Sequence, residues 1–177
     1  MIRLIVFLGN PGKQYEKTRH NAGWMVFPCL SFDASPVFQN KFNGEFAKVS
    51  LENRQVFLLK PGTFMNNSGK SVAACMNFFK IAPEEMLVVH DDLELEFGMM
   101  QLKTGGGLGG HNGLKSIVQA VGGRDFHRLK IGISRPARES VSSYVLSRFS
   151  PEEEGELGAL LQKAAGMISS YVEESYT

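Results

Sequence analysis

The chain has 177 residues, of which 43% are hydrophobic and 21% charged, and its net charge at pH 7 is +1. These values predict one domain, residues 1–177, with a sizeable core, and they exclude a chain coated throughout with basic side chains for nucleic-acid binding. No run of 18 apolar residues occurs, so no membrane-spanning helix is predicted. The two cysteines, Cys29 and Cys75, lie in apolar sequence without C-x-x-C spacing, and we expect buried thiols, a reducing compartment and a cytoplasmic location.

Apolar periodicity predicts the elements of the first third of the chain. Ile2–Leu8 is an almost continuous apolar run, which is typical of a strand covered on both faces. A helix is expected over Thr18–Phe32, and Pro28 should end or bend it. The segments Glu45–Leu51 and Gln55–Lys60 have the spacing of an antiparallel hairpin.

The rest of the chain continues to alternate between strands and helices. Thr63 is expected to cap a helix that runs to Phe79, with Pro83 closing the connection. The later predicted elements are strands at Met86–Val89, Met99–Lys103 and Phe126–Ile133, and helices at His111–Val121 and from Leu157 to Tyr171. Because no repeats or low-complexity linkers interrupt this alternation, it predicts an α/β fold, a single globular domain with a mixed central β-sheet surrounded by helices.

Polar side chains concentrate where predicted strands and helices end or begin. They are Asn10, His20, Asn66, the run His90–Asp92 and the pair His111–Asn112. Ligands gather beyond the carboxyl ends of strands in open α/β sheets, so we expect these groups to converge. An imidazole can take a proton from water while a carboxylate holds its other nitrogen, and asparagine amides donate to a carbonyl without adding charge. The set favours hydrolysis of an ester or amide by activated water.

Covalent and metal-dependent hydrolysis fit the sequence less well. No G-x-S-x-G motif occurs, and neither cysteine has polar neighbours that would activate it. A metal has some claim through His90, Asp91, Asp92 and His111, but the H-E-x-x-H motif is absent. We therefore expect no metal.

The glycine-rich segment from Gly105 to Gly110 raises the possibility of a dinucleotide site. Gly105, Gly107 and Gly110 satisfy G-x-G-x-x-G, and Asp125 follows about twenty residues later. However, Asp125 precedes the next strand, whereas the acidic residue of that motif belongs at the carboxyl end of the strand. A mobile loop that admits a bulky polar substrate explains the glycines equally well, and no nucleotide cofactor is expected.

Charge is distributed unevenly along the sequence. Residues 84–96 hold six acids and no lysine or arginine, whereas residues 97–138 hold seven bases against Asp125 alone. Such asymmetry can give a nearly neutral protein one positive face for an anionic partner. A solvated surface without a partner is the alternative.

Five segments, in their order and spacing, resemble bacterial-type peptidyl-tRNA hydrolase. They read IVFLGNPGKQYEKTRHNAGW, KPGTFMNNSGKSV, VVHDDLELEFG, GGGLGGHNGLKSI and FHRLKIGISRP. The resemblance extends from Ile2 to about Phe149. It implies a monomeric α/β enzyme that acts on the acceptor end of peptidyl-tRNA and cleaves the ester joining the peptide to the 3′ end of the tRNA.

The resemblance also implies roles for individual residues. The catalytic base falls on His20 and its carboxylate partner on Asp91, while the residues that hold tRNA phosphate match Lys103 and Lys130. The substrate-positioning side chains, three asparagines and two aromatic residues, fall on Asn10, Asn66, Asn112, Tyr15 and Phe64.

The chain departs from the family pattern at three positions. Glu94 replaces an aspartate of many relatives, Pro28 interrupts the first helix, and Lys130 replaces a common arginine, which exchanges a bidentate fork for a point charge. The family also contains relatives that act as RNA-splicing partners without hydrolysis, so a non-catalytic RNA-binding role is the alternative. His20 and Asp91 argue against it, because a binding protein needs bases and shape rather than a tuned histidine.

Overall fold

Seven strands form one mixed sheet in the order β2-β3-β4-β1-β5-β7-β6 in the computed structural model, which describes residues Met1–Thr177. The strands are β1 Leu4–Phe7, β2 Gln39–Lys41, β3 Gly44–Leu51, β4 Arg54–Pro61, β5 Met86–Asp92, β6 Met100–Thr104 and β7 His127–Gly132. Strands β4, β1, β5 and β7 run parallel to one another. At one side of the sheet β3 pairs antiparallel with β4 and β2 pairs antiparallel with β3, and at the other side β6 pairs antiparallel with β7. The predicted α/β fold with a mixed central sheet is confirmed.

Helices cover both faces of the sheet. They are α1 Ala22–Val26, α2 Ser68–Phe79, α3 Asn112–Val121, α4 Val141–Val145 and α5 Pro151–Glu174. Ile5 and Phe7 of β1 point into a core shared with α1 and α5, while Leu4 and Val6 point into a second core under α2 and α3. The apolar run of β1 is therefore buried on both sides, as its sequence predicts. None of the helices combines the length and apolar character needed to cross a bilayer.

The predicted helix over Thr18–Phe32 is wrong in length. A 3₁₀ turn at Arg19–Asn21 leads into the five-residue α1, and a second 3₁₀ turn at Phe27–Cys29 follows. Pro28 lies in the second turn, where it has no N–H to continue α-helical hydrogen bonding. The Asn21 side chain is tied to the backbone of Asn10, and this contact fixes the first turn in a non-α geometry.

The predicted start of α2 is also wrong. Thr63 caps nothing, and the chain makes a 3₁₀ turn at Met65–Asn67 before α2 begins at Ser68. The reason lies outside the segment, since the Met65 N–H donates to the side chain of Asn10. Such a contact between segments 55 residues apart is invisible to local periodicity.

The remaining elements agree with the sequence except for two omitted elements and one helix that starts earlier than predicted. The hairpin between β3 and β4 closes through Glu52 and Asn53, both at positive φ, as a two-residue turn requires. The short strand β2 and helix α4 were not predicted. Helix α5 begins six residues before its predicted start, because Ser150 and Glu153 form a reciprocal capping box.

Candidate active site

Asn10 and Asn21 join the loop after β1 to the turn that carries His20. The Asn21 Oδ1 accepts from the backbone N–H of Asn10 at 2.8 Å, and its Nδ2 donates to the Asn10 carbonyl at 3.0 Å. The Asn10 Oδ1 in turn accepts from the Met65 N–H at 2.8 Å, which leaves the Asn10 Nδ2 as a donor without a protein partner. Asn10 thus holds the loop before α2 and keeps two N–H groups for another acceptor.

Gly23 and Arg19 fix the distance of the His20 turn from the sheet and its orientation. A Cβ on Gly23 would lie 2.5 Å from the carbonyl oxygen of Val89, so only glycine lets α1 lie this close to the sheet. On the other side, Arg19 pairs with Glu153 of α5 at 3.0 Å and stacks over the Tyr144 ring at 4.1 Å. His20 is consequently held between the sheet and α5.

His20, Asp91 and His111 form a hydrogen-bonded trio at the end of β5. The Asp91 Oδ2 lies 2.8 Å from the His20 Nδ1, and its Oδ1 lies 2.8 Å from the His111 Nε2. An ionised carboxylate only accepts hydrogen bonds, so both imidazoles donate to it. The neutral His20 ring therefore carries its proton on Nδ1 and keeps a lone pair on Nε2, which has no partner in the protein.

The trio shifts the acidities of its members. Burial alone would raise the pKa of Asp91, but the two imidazoles overcome it and hold that pKa well below its usual range. Burial lowers the pKa of His20, and the charge and hydrogen bond of Asp91 outweigh this effect, so the pKa is raised above its ordinary value. His20 therefore stays protonated to higher pH than a free histidine, and its Nε2 lone pair is available only above that raised pKa.

His90 lies beneath the trio and stays neutral. Its Nδ1 donates to the backbone carbonyl of Asp91 at 2.7 Å, and its ring meets that of His111 at a centroid distance of 5.2 Å. Burial lowers the pKa of His90 to about 3. His90 therefore supports the backbone of Asp91 without adding charge.

A cavity of about 250 Å³ opens beside the trio. His20, His111 and Asn112 line it together with apolar side chains of the β5 end, the glycine-rich loop and α4, namely Leu93, Leu108, Val141 and Val145. This combination of a few polar groups in an apolar pocket is typical of ligand sites. The cavity is the place where a substrate could meet the Nε2 of His20.

The other predicted substrate-positioning residues lie around this centre. Asn112 is the first residue of α3 and lines the cavity, whereas Asn66 is exposed in the turn after Met65 and makes no hydrogen bond within the protein. Tyr15 and Phe64 pack edge to face at 6.3 Å, and Phe64 remains 55% exposed. The pair forms an aromatic edge next to the loop that Asn10 holds.

The two predicted phosphate-binding lysines share one face of the β6–β7 ribbon. Lys130 pairs with Asp92 at 3.3 Å and is mostly buried, whereas Lys103 is exposed and forms no ion pair. Between them lies Arg128, which is 2% exposed. Burial lowers the pKa of Arg128 and the nearby charge of Asp92 partly opposes this. The face is rich in positive charge, and only Lys130 among these three cations is paired with a carboxylate.

Arg128 shapes the glycine-rich loop. Its guanidinium donates to the carbonyls of Gly105 and Gly107, so these backbone oxygens face a cation. Strand β6 before the loop runs antiparallel to β7 after it, whereas a dinucleotide motif needs a parallel β-α-β unit. The loop forms one side of the cavity, where Gly109 and Gly110 adopt positive φ angles.

A metal ion could bind at the trio only if its nitrogen and oxygen atoms had lone pairs free to coordinate it. The potential ligand atoms of His20, Asp91 and His111 lie within 4.8 Å of one another. However, the His111 Nδ1 already accepts from the N–H groups of Gly113 and Leu114, which places the proton on Nε2. That nitrogen donates to Asp91 and has no lone pair to offer, so the arrangement suits a hydrogen-bond relay better than a cation.

The thiols lie away from this centre. Cys75 is buried in α2, and burial raises the pKa of its thiol to about 12. Cys29 is only partly buried, contrary to expectation, and burial raises its pKa as well. Neither thiol is activated as a nucleophile.

Sequence reasoning missed three residues that the structure ties to the site. His111 was noted as a polar residue near a helix start but received no role, Asn21 received none either, and Arg128 was counted only among the seven bases of residues 97–138. For His111, the signal was its place directly before α3, where its side chain caps the helix and reaches Asp91. For Arg128, local sequence carried no signal of its burial, because β7 alternates polar and apolar residues and Arg128 lies at a polar position.

Comparisons with known proteins identify the family of the chain. A family model described as peptidyl-tRNA hydrolase matches residues 4–177. A relative of that name from Lactobacillus gasseri is 44% identical over 172 residues, which cover 97% of this chain and 93% of the relative. Another from Geobacter metallireducens is 45% identical over 171 residues, covering 96% and 88%. The crystal structure of peptidyl-tRNA hydrolase from Acinetobacter baumannii matches with a TM-score of 0.85 at 43% identity, over 98% of this chain and 91% of that chain. The chain belongs to the peptidyl-tRNA hydrolase family.

Proposed function

We propose that this protein hydrolyses the ester between a peptide, or an N-blocked amino acid, and the 3′ end of tRNA, without a metal or nucleotide cofactor and as a monomer. The observation that carries the proposal is the pairing of His20 with Asp91 at 2.8 Å beside a cavity, in a chain whose relatives are named peptidyl-tRNA hydrolase. A binding protein has no need for a buried imidazole with an oriented lone pair.

His20 acts as the general base in this proposal. Its Nε2 takes a proton from a water molecule, whose oxygen attacks the ester carbonyl, while Asp91 stabilises the imidazolium that forms. The imidazolium then returns that proton to the departing 3′ oxygen, so the products are free tRNA and a peptide with a new carboxyl group, which ionises by releasing the second proton of the water to solvent. The free Nδ2 of Asn10 and the side chain of Asn112 supply neutral donors for the carbonyl groups of the substrate.

The tRNA lies along the β6–β7 side of the site. Lys103 and Lys130 bind phosphate, and Tyr15 and Phe64 offer an aromatic edge to the substrate next to Asn66. The neighbouring Asp92 holds Lys130 in place at 3.3 Å, which orders its stem before tRNA arrives. Phosphate binding at this ribbon leaves the ester within reach of His20.

A turnover assay on N-acetyl-aminoacyl-tRNA tests the proposal. We expect the wild type to cleave it, His20→Ala to lose about 10² to 10⁴ in kcat, and EDTA to leave turnover intact. A wild type that binds tRNA without cleaving the ester would favour the RNA-binding alternative. Full activity in the alanine variant would remove His20 from the mechanism.

A further inference from the structure

The glycine-rich loop between β6 and α3 borders the cavity but makes few contacts along its own length. A Cβ placed on Gly107 or Gly110 would meet no other atom within 4 Å. The backbone N–H groups from Gly106 to Gly110 have no hydrogen-bond partner in the protein. A segment with so few contacts is easily displaced, so its position depends on the groups that bind its two ends.

Arg128 of β7 binds the start of this loop. Its Nη1 donates to the carbonyl of Gly107 at 2.9 Å, and its Nη2 donates to the carbonyl of Gly105. Gly105 and Gly106 both adopt positive φ, a conformation that suits glycine and lets two nearby carbonyls turn toward one guanidinium. The N–H of Gly105 adds one further bond, to the carbonyl of Phe126 at 3.1 Å. Arg128 is therefore the only side chain that donates to the backbone of this loop.

The surroundings of Arg128 are those of a structural donor rather than of a phosphate-binding residue. Its side chain is 2% exposed, both terminal nitrogens are bonded to loop carbonyls, and its Nε is shielded from water without a partner. Little of the guanidinium is open to an anion in solution. Burying a cation costs free energy, and apolar residues often replace buried ionic groups without loss of stability. Packing alone gives no reason for an arginine at this position.

The far end of the loop carries groups of the candidate active site. Leu108 lines the cavity, and its carbonyl accepts from the N–H of His111 at 3.0 Å. The His111 Nε2 donates to Asp91 at 2.8 Å, and Asn112, the next residue, also lines the cavity. Because only three residues separate Gly107 from His111, a displacement at Gly107 reaches both the cavity and the trio.

We propose that Arg128 is a positioning residue for the hydrolysis, which holds the glycine-rich loop so that Leu108 and His111 keep their places beside Asp91; the inference rests on the proposed function. Arg128 acts on the chemical step, through the loop. The affinity for tRNA depends instead on Lys103 and Lys130.

Single-turnover hydrolysis of N-acetyl-aminoacyl-tRNA at saturating enzyme separates the chemical step from binding. Arg128→Met removes both donors and keeps a long side chain, whereas Arg128→Lys keeps the charge but replaces the planar fork with one nitrogen. We expect the saturated rate to fall about 10- to 100-fold in the methionine variant, as small misplacements in an active site do, and by less in the lysine variant. The Kd of the lysine variant for deacylated tRNA should equal that of the wild type.

Hydrogen exchange of the His111 amide, followed by NMR, measures the position of the loop directly. Its N–H donates to the carbonyl of Leu108, so release of the loop should speed its exchange in both variants. If the methionine variant does not fold, the rate and the amide exchange of the lysine variant carry the test.

Arg3→Lys is the matched control. The Arg3 guanidinium also donates to two backbone carbonyls, those of Phe79 and Lys80, but it lies at the amino end of β1, away from the site at the carboxyl ends of the strands. The control should lower the midpoint of urea unfolding without changing the saturated rate or the exchange of the His111 amide.

The outcomes separate this inference from the proposed function. If Arg128→Met keeps the saturated rate of the wild type while its Kd for tRNA rises, Arg128 binds phosphate and the inference is overturned. It is also overturned if Arg128→Lys slows the reaction no more than Arg3→Lys does, or if the exchange of the His111 amide stays unchanged. If the wild type cleaves no substrate, the proposed hydrolysis fails, and the amide exchange still decides whether Arg128 holds the loop.

Discussion

Replacing Asp91 with asparagine removes the charge that two imidazoles share and keeps the shape of the side chain. In the wild type both carboxylate oxygens accept a hydrogen bond at 2.8 Å, one from His20 and one from His111. An asparagine has one oxygen and one NH₂ group, so it can accept from only one ring. The other imidazole then faces a donor and must turn or change its tautomer. Asp91→Asn therefore disturbs the orientation of the base as well as its acidity.

The expected result has two parts, a lower rate and a shifted pH profile. A base acts only when neutral, so in the wild type kcat/KM should rise with pH through the raised pKa of His20. In the variant, burial still lowers that pKa and the attraction of Asp91 is gone, so the pKa falls below its ordinary value. The acidic limb should move to lower pH, and the plateau should drop about 10² to 10⁴-fold because the tautomer is no longer held.

The measurement is kcat/KM on N-acetyl-aminoacyl-tRNA from about pH 5 to 9, a range centred on histidine titration. Asp92→Asn is the matched control, since it removes the neighbouring carboxylate, which pairs with Lys130 rather than with the trio. Its acidic limb should stay where the wild type has it. A limb that does not move in Asp91→Asn, or a plateau equal to that of the wild type, would refute the reasoning.

Three further predictions concern the groups around the trio. Neutralising Lys103 or Lys130 to glutamine should reduce the slope of log Kd for tRNA against log salt by roughly one each, and an unchanged slope in both variants would mean that this face does not meet phosphate. Asn10→Asp keeps an acceptor for the Met65 N–H and turns the free amide into a carboxylate, so it should erode the preference of kcat/KM for N-blocked over free aminoacyl-tRNA, which we expect to be roughly 10⁴ in the wild type. Equal cleavage of both by the wild type would contradict that selectivity. His111→Ala loses both the cap of α3 and the donor to Asp91, whereas His111→Asn keeps an oxygen that can cap the helix. Both variants should therefore lower kcat. Only the alanine variant should lose about 1 kcal/mol of unfolding free energy, measured by urea titration. An alanine variant as stable as the asparagine variant would rule out the cap.

Local sequence was sufficient to predict an element where the conformation of its residues depends only on their neighbours in the chain. The apolar runs of β1 and β5 predict buried strands, and both occupy the centre of the sheet, where helices cover each face. The hairpin between β3 and β4 follows from the residues that join it. Local sequence predicted the wrong helix start where a distant segment binds a backbone group. The Met65 N–H donates to the side chain of Asn10, and the helix that follows therefore starts later than predicted.

The chemistry of the site was predictable as a set of residue types but not as an arrangement. Polar residues at strand ends indicated activated-water hydrolysis, and the motif resemblance assigned a base to His20 and a carboxylate to Asp91. That assignment of roles stays a prediction until the variants are measured. The structure adds that these two side chains, 71 residues apart, are in contact, and that His111 occupies the second oxygen of Asp91.

The sequence by itself determined the fold class, the central strands and the residue types available for catalysis, because burial and periodicity are properties of short segments. Only the tertiary structure decided which nitrogen of His20 is free and why Arg128 can be buried. These features arise from contacts between segments far apart in the chain. The free energy of such contacts depends on distance and orientation in the folded molecule, which no local pattern of residues contains.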